Sequence, residues 1–203
     1  MITIRCTRSR GPRGFFCLQD VRRGPVNVAV ITLNLENDSS GETPLETTMM
    51  VTYTTRGGKS VVADAVALAY MSGALKDMLA VMHLETHPVD RHFLLFSIIK
   101  HTYKSRSLKE MRKLCAKTCE LHVEEFPHLA PHLRDEMNGH LPRVPTFQQY
   151  STLLTEGGNF KRAVEICELA ISFGLRDGTK SWYAGRIERI RKKMNKQNKN
   201  RDA

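Results

Sequence analysis

Apolar side chains recur at a helical spacing through most of the chain, and this periodicity limits the possible folds more than any other feature. The segment 107–126, SLKEMRKLCAKTCELHVEEF, is typical. Its apolar and small side chains fall on one stripe of a helix: Met111, Leu114, Cys115, Thr118, Leu121, His122 and Phe126. An isolated helix of this length is marginal in water, so it must pack against other helices.

The same period predicts further helices along the C-terminal part of the chain. Apolar stripes at helical spacing occupy the segments 60–84, 92–103, 146–156, 159–174 and 179–194. A short helix is also predicted at 129–137, after Pro127 ends the helix before it. The chain is therefore predicted to be mostly α, with about seven helices.

The first 58 residues differ from the rest, because their apolar residues are mainly β-branched and turn-forming residues are frequent. The segments 27–35 and 49–55 are predicted to be strands, joined by a loop. Two strands bury too little to be stable alone, so they need the helices or a further strand near residues 3–7. Three regions follow: a β-containing basic N-terminal segment at 1–58, a helical repeat-like domain at 59–195 and a basic disordered tail at 196–203.

Two helical segments match each other in sequence. Thr118–Val123 (TCELHV) and Ile166–Ile171 (ICELAI) align at a spacing of 48 residues, and Lys113 falls opposite Lys161 in the same register. A fixed spacing of this size is typical of helical repeat proteins. The sequence therefore predicts an internal duplication.

The segment 147–174 resembles a tetratricopeptide repeat, a unit of two antiparallel helices with a fixed pattern of large and small residues. The positions that match the pattern are Phe147, Leu154, Gly158, Phe160, Ala163, Cys167 and Ala170. Segment 92–127 is similar to a degenerate copy of this unit, with Pro127 as its closing proline, whereas Leu175 replaces that proline in the second unit. The segment 174–193, which begins with GLRDGTK and ends with GRIERIRKK, also resembles the C-terminal part of a group of small bacterial proteins of unassigned role.

This resemblance implies a fold and a kind of binding. Small side chains would let the two helices of a unit approach closely, while the aromatic and leucine side chains fill the remaining space. The fold class is thus expected to be tetratricopeptide-like antiparallel helical hairpins with a small β-containing N-terminal segment. Such arrays bind an extended peptide or a helix along one face, which the resemblance places at Gln148, Gln149, Thr152 and Thr155.

Positive charge is concentrated near the two ends of the chain. The chain has 31 Lys and Arg against 21 Asp and Glu, a formal net charge of +10. Candidate phosphate-contacting residues are Arg8, Arg10, Arg13, Arg22, Arg23, Arg186, Arg189, Lys192 and Lys193. Phe15 and Phe16 lie among the N-terminal arginines, and cations beside aromatic rings suit a nucleic acid. A solvated basic face is the alternative interpretation.

Three motifs invite a chemical interpretation, and each has a simpler structural one. Cys115, Cys119 and His122 share one helical face as a zinc set would, but they also occupy repeat-packing positions. HLETH at 83–87 lacks the glutamate directly after the first histidine that a metalloprotease needs. RGGKS at 56–60 could hold an anion at a helix start, or form a hairpin turn. No metal, cofactor or catalytic residue is therefore predicted.

The remaining composition indicates the cell compartment and the class of function. Five cysteines form no recognisable disulfide framework, and the first ten residues contain no apolar signal core, which predicts a cytoplasmic protein. The most apolar stretch, 61–82, is interrupted by charges, so no membrane partner is expected. We expect a non-enzymatic scaffold or adaptor that binds a protein or peptide, with a basic nucleic-acid-binding accessory protein as the alternative.

Overall fold

The computed structural model describes residues 6–11, 14–23, 26–34 and 46–200, with side chains from residue 51 onward. The chain divides into two compact units, Met1–Ser72 and Gly73–Ala203. The described part holds five strands followed by seven helices. A mostly helical protein with a β-containing N-terminal region is thereby confirmed. The division between the units falls after residue 72, whereas the sequence placed the boundary after residue 58.

The first unit contains a five-stranded antiparallel sheet whose strands pair in chain order. The strands are β1 (Cys6–Gly11), β2 (Gly14–Arg23), β3 (Val26–Asn34), β4 (Glu46–Arg56) and β5 (Lys59–Val62). β3 and β4 correspond to the two predicted strands, and in their register Val28 faces Thr52 and Val30 faces Met50. The β-branched residues that marked these strands in the sequence suit this pleated pairing. The sheet is larger than predicted, because β2 and β5 were not recognised.

The segment 60–84 was predicted to be one helix, but it begins with β5 and then holds two shorter helices, at Ala65–Ser72 and Leu75–Ala80. Gly57 and Gly58 adopt positive φ of 53° and 72° and form the two-residue turn that joins β4 to β5. The helix that follows, α1 (Ala65–Ser72), begins after Asp64, whose carboxylate accepts a hydrogen bond of 2.7 Å from the Ala67 amide. An apolar run such as VVADAVALAY fits either a strand or a helix, which explains the error.

The second unit is a set of antiparallel helices. They are α2 (Leu75–Ala80), α3 (Pro88–Lys104), α4 (Lys109–Glu136), α5 (Pro145–Glu156), α6 (Phe160–Ser172) and α7 (Trp182–Lys199). Helices α3 and α4 form one hairpin, α5 and α6 form a second, and α7 packs on α6. Helix α5 also contacts α3 and α4, so the two hairpins share one core. The prediction of antiparallel helical hairpins is confirmed.

Helix α4 continues through Pro127, which was predicted to end it. Pro127 and Pro131 both lie inside this 28-residue helix, so the separate helix at 129–137 is its last part. Both prolines are exposed, whereas Phe126, Leu129 and Leu133 around them are buried. On the exposed face, water can take over the backbone hydrogen bonds that proline removes, and the buried stripe stabilises the helix.

The small residues of α6 lie at the centre of the core. Ala163, Cys167 and Ala170 are fully buried. At the spacing of 48 residues, they correspond to Cys115, Cys119 and His122 of α4, which are buried as well. The remaining repeat-packing positions also follow the pattern: Phe147 is buried, Leu154 and Phe160 pack half-buried against the core, and Gly158 has a φ of 79° at the end of α5. The shared burial supports an internal duplication.

The predicted disordered tail is partly helical. Helix α7 extends to Lys199, so residues 196–199 belong to it. The helix begins after a turn in which the Asp177 carboxylate accepts hydrogen bonds from the Thr179 amide and hydroxyl, at 2.9 and 2.7 Å. Because four of its residues, Lys192, Lys193, Lys196 and Lys199, are exposed lysines, the final turns of α7 carry concentrated positive charge.

Candidate binding groove between helices α5 and α7

A groove of about 490 Å³ lies between α5 and α7 in the second unit. These helices are both packed on α6 and leave a channel between them. The lining residues are Thr152, Thr155, Glu156, Arg186, Arg189, Ile190, Lys192, Lys193 and Lys196. Candidate residues from two separate predictions, a partner-binding face and a phosphate-contacting surface, therefore line one groove.

The α5 side of the groove is provided by hydroxyl groups. Thr152 and Thr155 line it, and each hydroxyl also donates to a backbone carbonyl one turn earlier, at 2.8 and 2.6 Å. Gln148 lies on the same helical face but its Oε1 accepts a hydrogen bond of 3.3 Å from Arg143. Gln149 is half-buried, and its Oε1 has no hydrogen-bond partner. The groove therefore uses two of the four residues predicted for the partner-binding face.

The α7 side of the groove is cationic. Arg186 is held in place by an ion pair of 3.1 Å with Asp177 and by a hydrogen bond of 3.2 Å to the Thr152 hydroxyl. Burial opposes ionisation of Asp177, but hydrogen bonds from Thr179 and Arg186 outweigh it and lower the pKa of that carboxyl below its ordinary value. Arg186 thus bridges α5 and α7 and stabilises the groove.

The other cations of the groove are available to a partner. Arg189 donates a hydrogen bond of 3.2 Å to the Ser181 hydroxyl. Within residues 51–200, Lys192, Lys193 and Lys196 make no ion pair with a carboxylate. Lys196 was not singled out from the sequence, although it continues the helical spacing of Arg189 and Lys193. If the helical spacing of the basic residues is continued past residue 194, it identifies Lys196.

The acidic residue of the groove is already neutralised. Glu156 accepts an ion pair of 2.8 Å from Arg112 and one of 3.6 Å from Arg106. Both arginines come from the α3–α4 hairpin, so the negative charge of Glu156 is balanced from outside the groove. The charge that the groove presents is therefore strongly positive, and an anionic partner would gain from it.

The N-terminal arginines that were predicted to contact phosphate belong to the sheet or lie outside the described residues. Arg8 and Arg10 are on β1, and Arg22 and Arg23 are near the end of β2. Arg13 lies outside the described residues. These residues belong to the first unit, and the basic groove belongs to the second.

The cysteines and histidines that could have bound a metal are core residues. Cys115 and Cys119 are fully buried, and a hydrogen bond from Cys119 lowers the pKa of the Cys115 thiol to about 7 despite burial. Burial raises the pKa of Cys119. His122 is hydrogen-bonded to His92 at 2.9 Å and to Thr146 at 2.8 Å. Residues 51–200 contain no group of three or more acidic, histidine or cysteine residues placed to hold a metal ion.

The histidines of the HLETH motif have a structural setting. His83 and His87 are both exposed, and His87 caps α3 by accepting a hydrogen bond of 3.3 Å from the Val89 amide. The ring of His87 also lies 5.8 Å from that of His132 on α4.

Among the described helices, none combines the length and the apolar character needed to cross a bilayer.

Comparison with known proteins adds one partial similarity. No protein family matches the sequence, and no solved structure matches it. An uncharacterized protein of Aquifex aeolicus (strain VF5) is 26% identical over 113 residues, which are 56% of this chain and 52% of that protein. The chain thus spans about half the length of this curated relative. The resemblance to tetratricopeptide repeats stays a prediction.

Proposed function

We propose that this chain is a non-enzymatic scaffold or adaptor whose α5–α7 groove binds an acidic segment of a partner protein. The observation that carries the proposal is the charge of the groove. Arg189, Lys192, Lys193 and Lys196 face a channel whose single carboxylate, Glu156, is already bound by two arginines. An acidic segment would supply the negative charge that this surface lacks.

The shape and lining of the groove favour a peptide segment over a reacting small molecule. Ile190 and the aliphatic parts of the lysines and threonines give the groove an apolar floor beneath its charged groups. This combination suits acidic side chains that alternate with an apolar anchor, as on an amphipathic helix. The lining contains no histidine or cysteine, and the hydrogen-bonded histidine pair of this unit is buried in the core.

The proposal predicts that charge reversal in the groove abolishes most of the binding. A fluorescent glutamate-rich peptide with leucines at helical spacing serves as the probe, and its Kd is measured by anisotropy. The double variant Lys192→Glu, Lys193→Glu is expected to raise the Kd at least about tenfold, because each substitution replaces attraction by repulsion.

A matched control on the same helix separates local from overall charge. Arg191 is exposed, carries the same charge and does not line the groove. Arg191→Glu should therefore change the Kd by less than about twofold. If Arg191→Glu weakens binding as much as the double variant, the peptide responds to net charge alone and the groove is not its site.

Nucleic acid is the second candidate partner, and one observation favours it. Past the groove, Phe160 lines a second pocket together with Lys193, Lys196 and Glu156, so an aromatic ring lies near the row of cations. Phosphates could follow this row while a base contacts the ring. The measurement that decides is the salt dependence of binding to single-stranded RNA. A slope of log Kd against log salt of about 0.7 per neutralised phosphate would support nucleic acid, and a shallow slope with weak affinity would support the protein partner.

A further inference from the structure

A second basic site lies away from the α5–α7 groove, at the loop end of the helical unit. The α4–α5 connection and the α6–α7 connection face each other there and enclose a cleft of about 590 Å³. Its polar and aromatic lining residues are Arg134, His140, Arg143, Phe173 and Arg176. None of these residues lines the groove described above. The cleft is therefore a separate feature with its own charge.

The cleft concentrates positive charge without a balancing carboxylate. Arg134, Arg143 and Arg176 all line it, and no acidic side chain does. Asp177 is adjacent in sequence, but its carboxylate is buried and bound by Thr179 and Arg186. In the part of the chain with described side chains, none of the three guanidinium groups makes an ion pair. Like charges that line one cleft repel each other, and an anion bound between them would offset this repulsion.

Arg143 is fixed at the edge of the cleft. Its Nη2 donates hydrogen bonds of 3.2 Å to the Asp177 carbonyl and 3.3 Å to Gln148 Oε1. The guanidinium also lies against the backbone of Gly178, where an added Cβ would be only 3.3 Å from Arg143 Cζ. Gly178 has a φ of 80°, a conformation that favours glycine. The α6–α7 connection is thus shaped to receive this side chain.

Arg176 is held by a different contact. Its guanidinium stacks over the ring of Trp182, 4.4 Å from the ring centroid. A cation stacked on an aromatic face keeps its N–H groups free to donate hydrogen bonds in the plane of the guanidinium. Arg176 can therefore bind a ligand without losing the stacking contact. Trp182 is the only tryptophan in the chain, so its fluorescence reports on the surroundings of Arg176.

We propose that this arginine cleft binds a ligand with a phosphate chain, such as a diphosphate or triphosphate. Planar guanidinium groups match phosphate oxygens in pairs, and three of them can bind a chain of phosphates that carries several charges. The volume is that of a small-molecule site. Leu141, Phe173 and Leu175 add an apolar wall that an organic part of the ligand could contact. The cleft would then make the scaffold responsive to a small phosphorylated molecule.

Fluorescence titration of the intact protein with inorganic pyrophosphate and with ATP tests the proposal. Both probes are used at about 0.15 M salt, where unspecific attraction is largely screened. We expect a saturable change in Trp182 fluorescence, with a Kd below about 1 mM for at least one probe. Tighter binding of ATP would identify an organic phosphate as the ligand class, and equal binding would identify the inorganic phosphate chain. The absence of a saturable change with both probes would overturn the proposal.

Variants locate the binding. Arg134→Gln and Arg143→Gln should each raise the Kd about tenfold or more, because a charge-assisted pair of hydrogen bonds is lost. Arg143 also supports the loop, whereas the side chain of Arg134 makes no hydrogen bond or ion pair within the described residues. Arg134→Gln therefore tests the charge without removing a contact of the fold. The controls are Arg191→Gln and the groove variant Lys192→Glu, Lys193→Glu, which should leave the Kd within about twofold. If either control weakens binding as much as Arg134→Gln, the phosphate binds elsewhere.

Discussion

Replacing Phe126 by alanine is expected to lower the free energy of unfolding by about 3–5 kcal/mol. Phe126 is fully buried on α4, and its ring lies 5.1 Å from that of Phe147 on α5 and 4.9 Å from that of Phe173 at the end of α6. Both contacts are edge-on. The side chain thus joins the two hairpins, and its loss leaves a cavity between three helices. Urea denaturation followed by circular dichroism measures the change.

Ile171 provides the matched control for this substitution. It is also a large apolar residue in a helix of the second unit, but it is exposed. Ile171→Ala should change the free energy of unfolding by less than about 0.5 kcal/mol. A loss below about 1 kcal/mol for Phe126→Ala would contradict the shared core of the two hairpins.

Acidification is expected to destabilise the helical unit through a buried pair of histidines. His92 on α3 and His122 on α4 are hydrogen-bonded to each other at 2.9 Å. His122 is also hydrogen-bonded to the Thr146 hydroxyl on α5 at 2.8 Å. Burial lowers the pKa of His92 from 6.5 to about 4, and burial together with the charges of His92 and Arg91 lowers the pKa of His122. Both rings are therefore neutral in the folded protein at neutral pH.

The sign of the effect follows from these shifts. The unfolded chain binds protons on the two histidines below about pH 6.5, whereas the folded protein does not, so stability is present above this pH and is lost as the pH falls. Proton binding at His92 in the unfolded chain should by itself lower the free energy of unfolding by about 3 kcal/mol as the pH falls from 6.5 to 4. Urea denaturation at a series of pH values measures the loss.

Carboxylates titrate in the same range, so the comparison must be with variants. In the double variant His92→Gln, His122→Gln, the loss of stability on acidification should be smaller by at least the contribution of His92. His128→Gln, at an exposed position of α4, serves as the control for the substitution itself. Equal losses in the unmodified protein and the double variant would contradict a neutral buried pair.

Much of the helical unit could be predicted from the sequence, because each long helix carries an apolar stripe. The segment of α6 is the clearest example: its small residues matched a repeat pattern, and Ala163, Cys167 and Ala170 are buried. The end of α4 was predicted wrongly because proline usually ends a helix. Pro127 is tolerated on an exposed face, and the identity of that face depends on tertiary packing.

The sheet was predicted in part for a different reason. β3 and β4 are rich in β-branched residues, whereas β2 contains charged residues and β5 has four residues. Short or charged strands show little periodicity of their own, because pairing with neighbouring strands stabilises them. Helix α1 follows β5 closely, so a single apolar run covered both elements and was assigned to one helix.

The candidate sites differ in how far the sequence could reveal them. Thr152, Thr155 and the basic residues of α7 were singled out separately, and helical spacing alone could have added Lys196. The arginine cleft could not be predicted, because Arg134, Arg143 and Arg176 come from three separate segments. Only the packing of the two hairpins brings these segments together. Proximity of this kind has no signal in sequence spacing.

The measurement that tests the proposed binding surface most directly is the mapping of the acidic peptide on the protein by backbone amide chemical shifts. Thr152, Thr155 and residues 189–196 are expected to shift most on titration, with smaller changes at residues of α3. Saturable binding whose largest shifts lie outside α5 and α7, with Lys192 and Lys193 unaffected, would show that the groove is not the docking site.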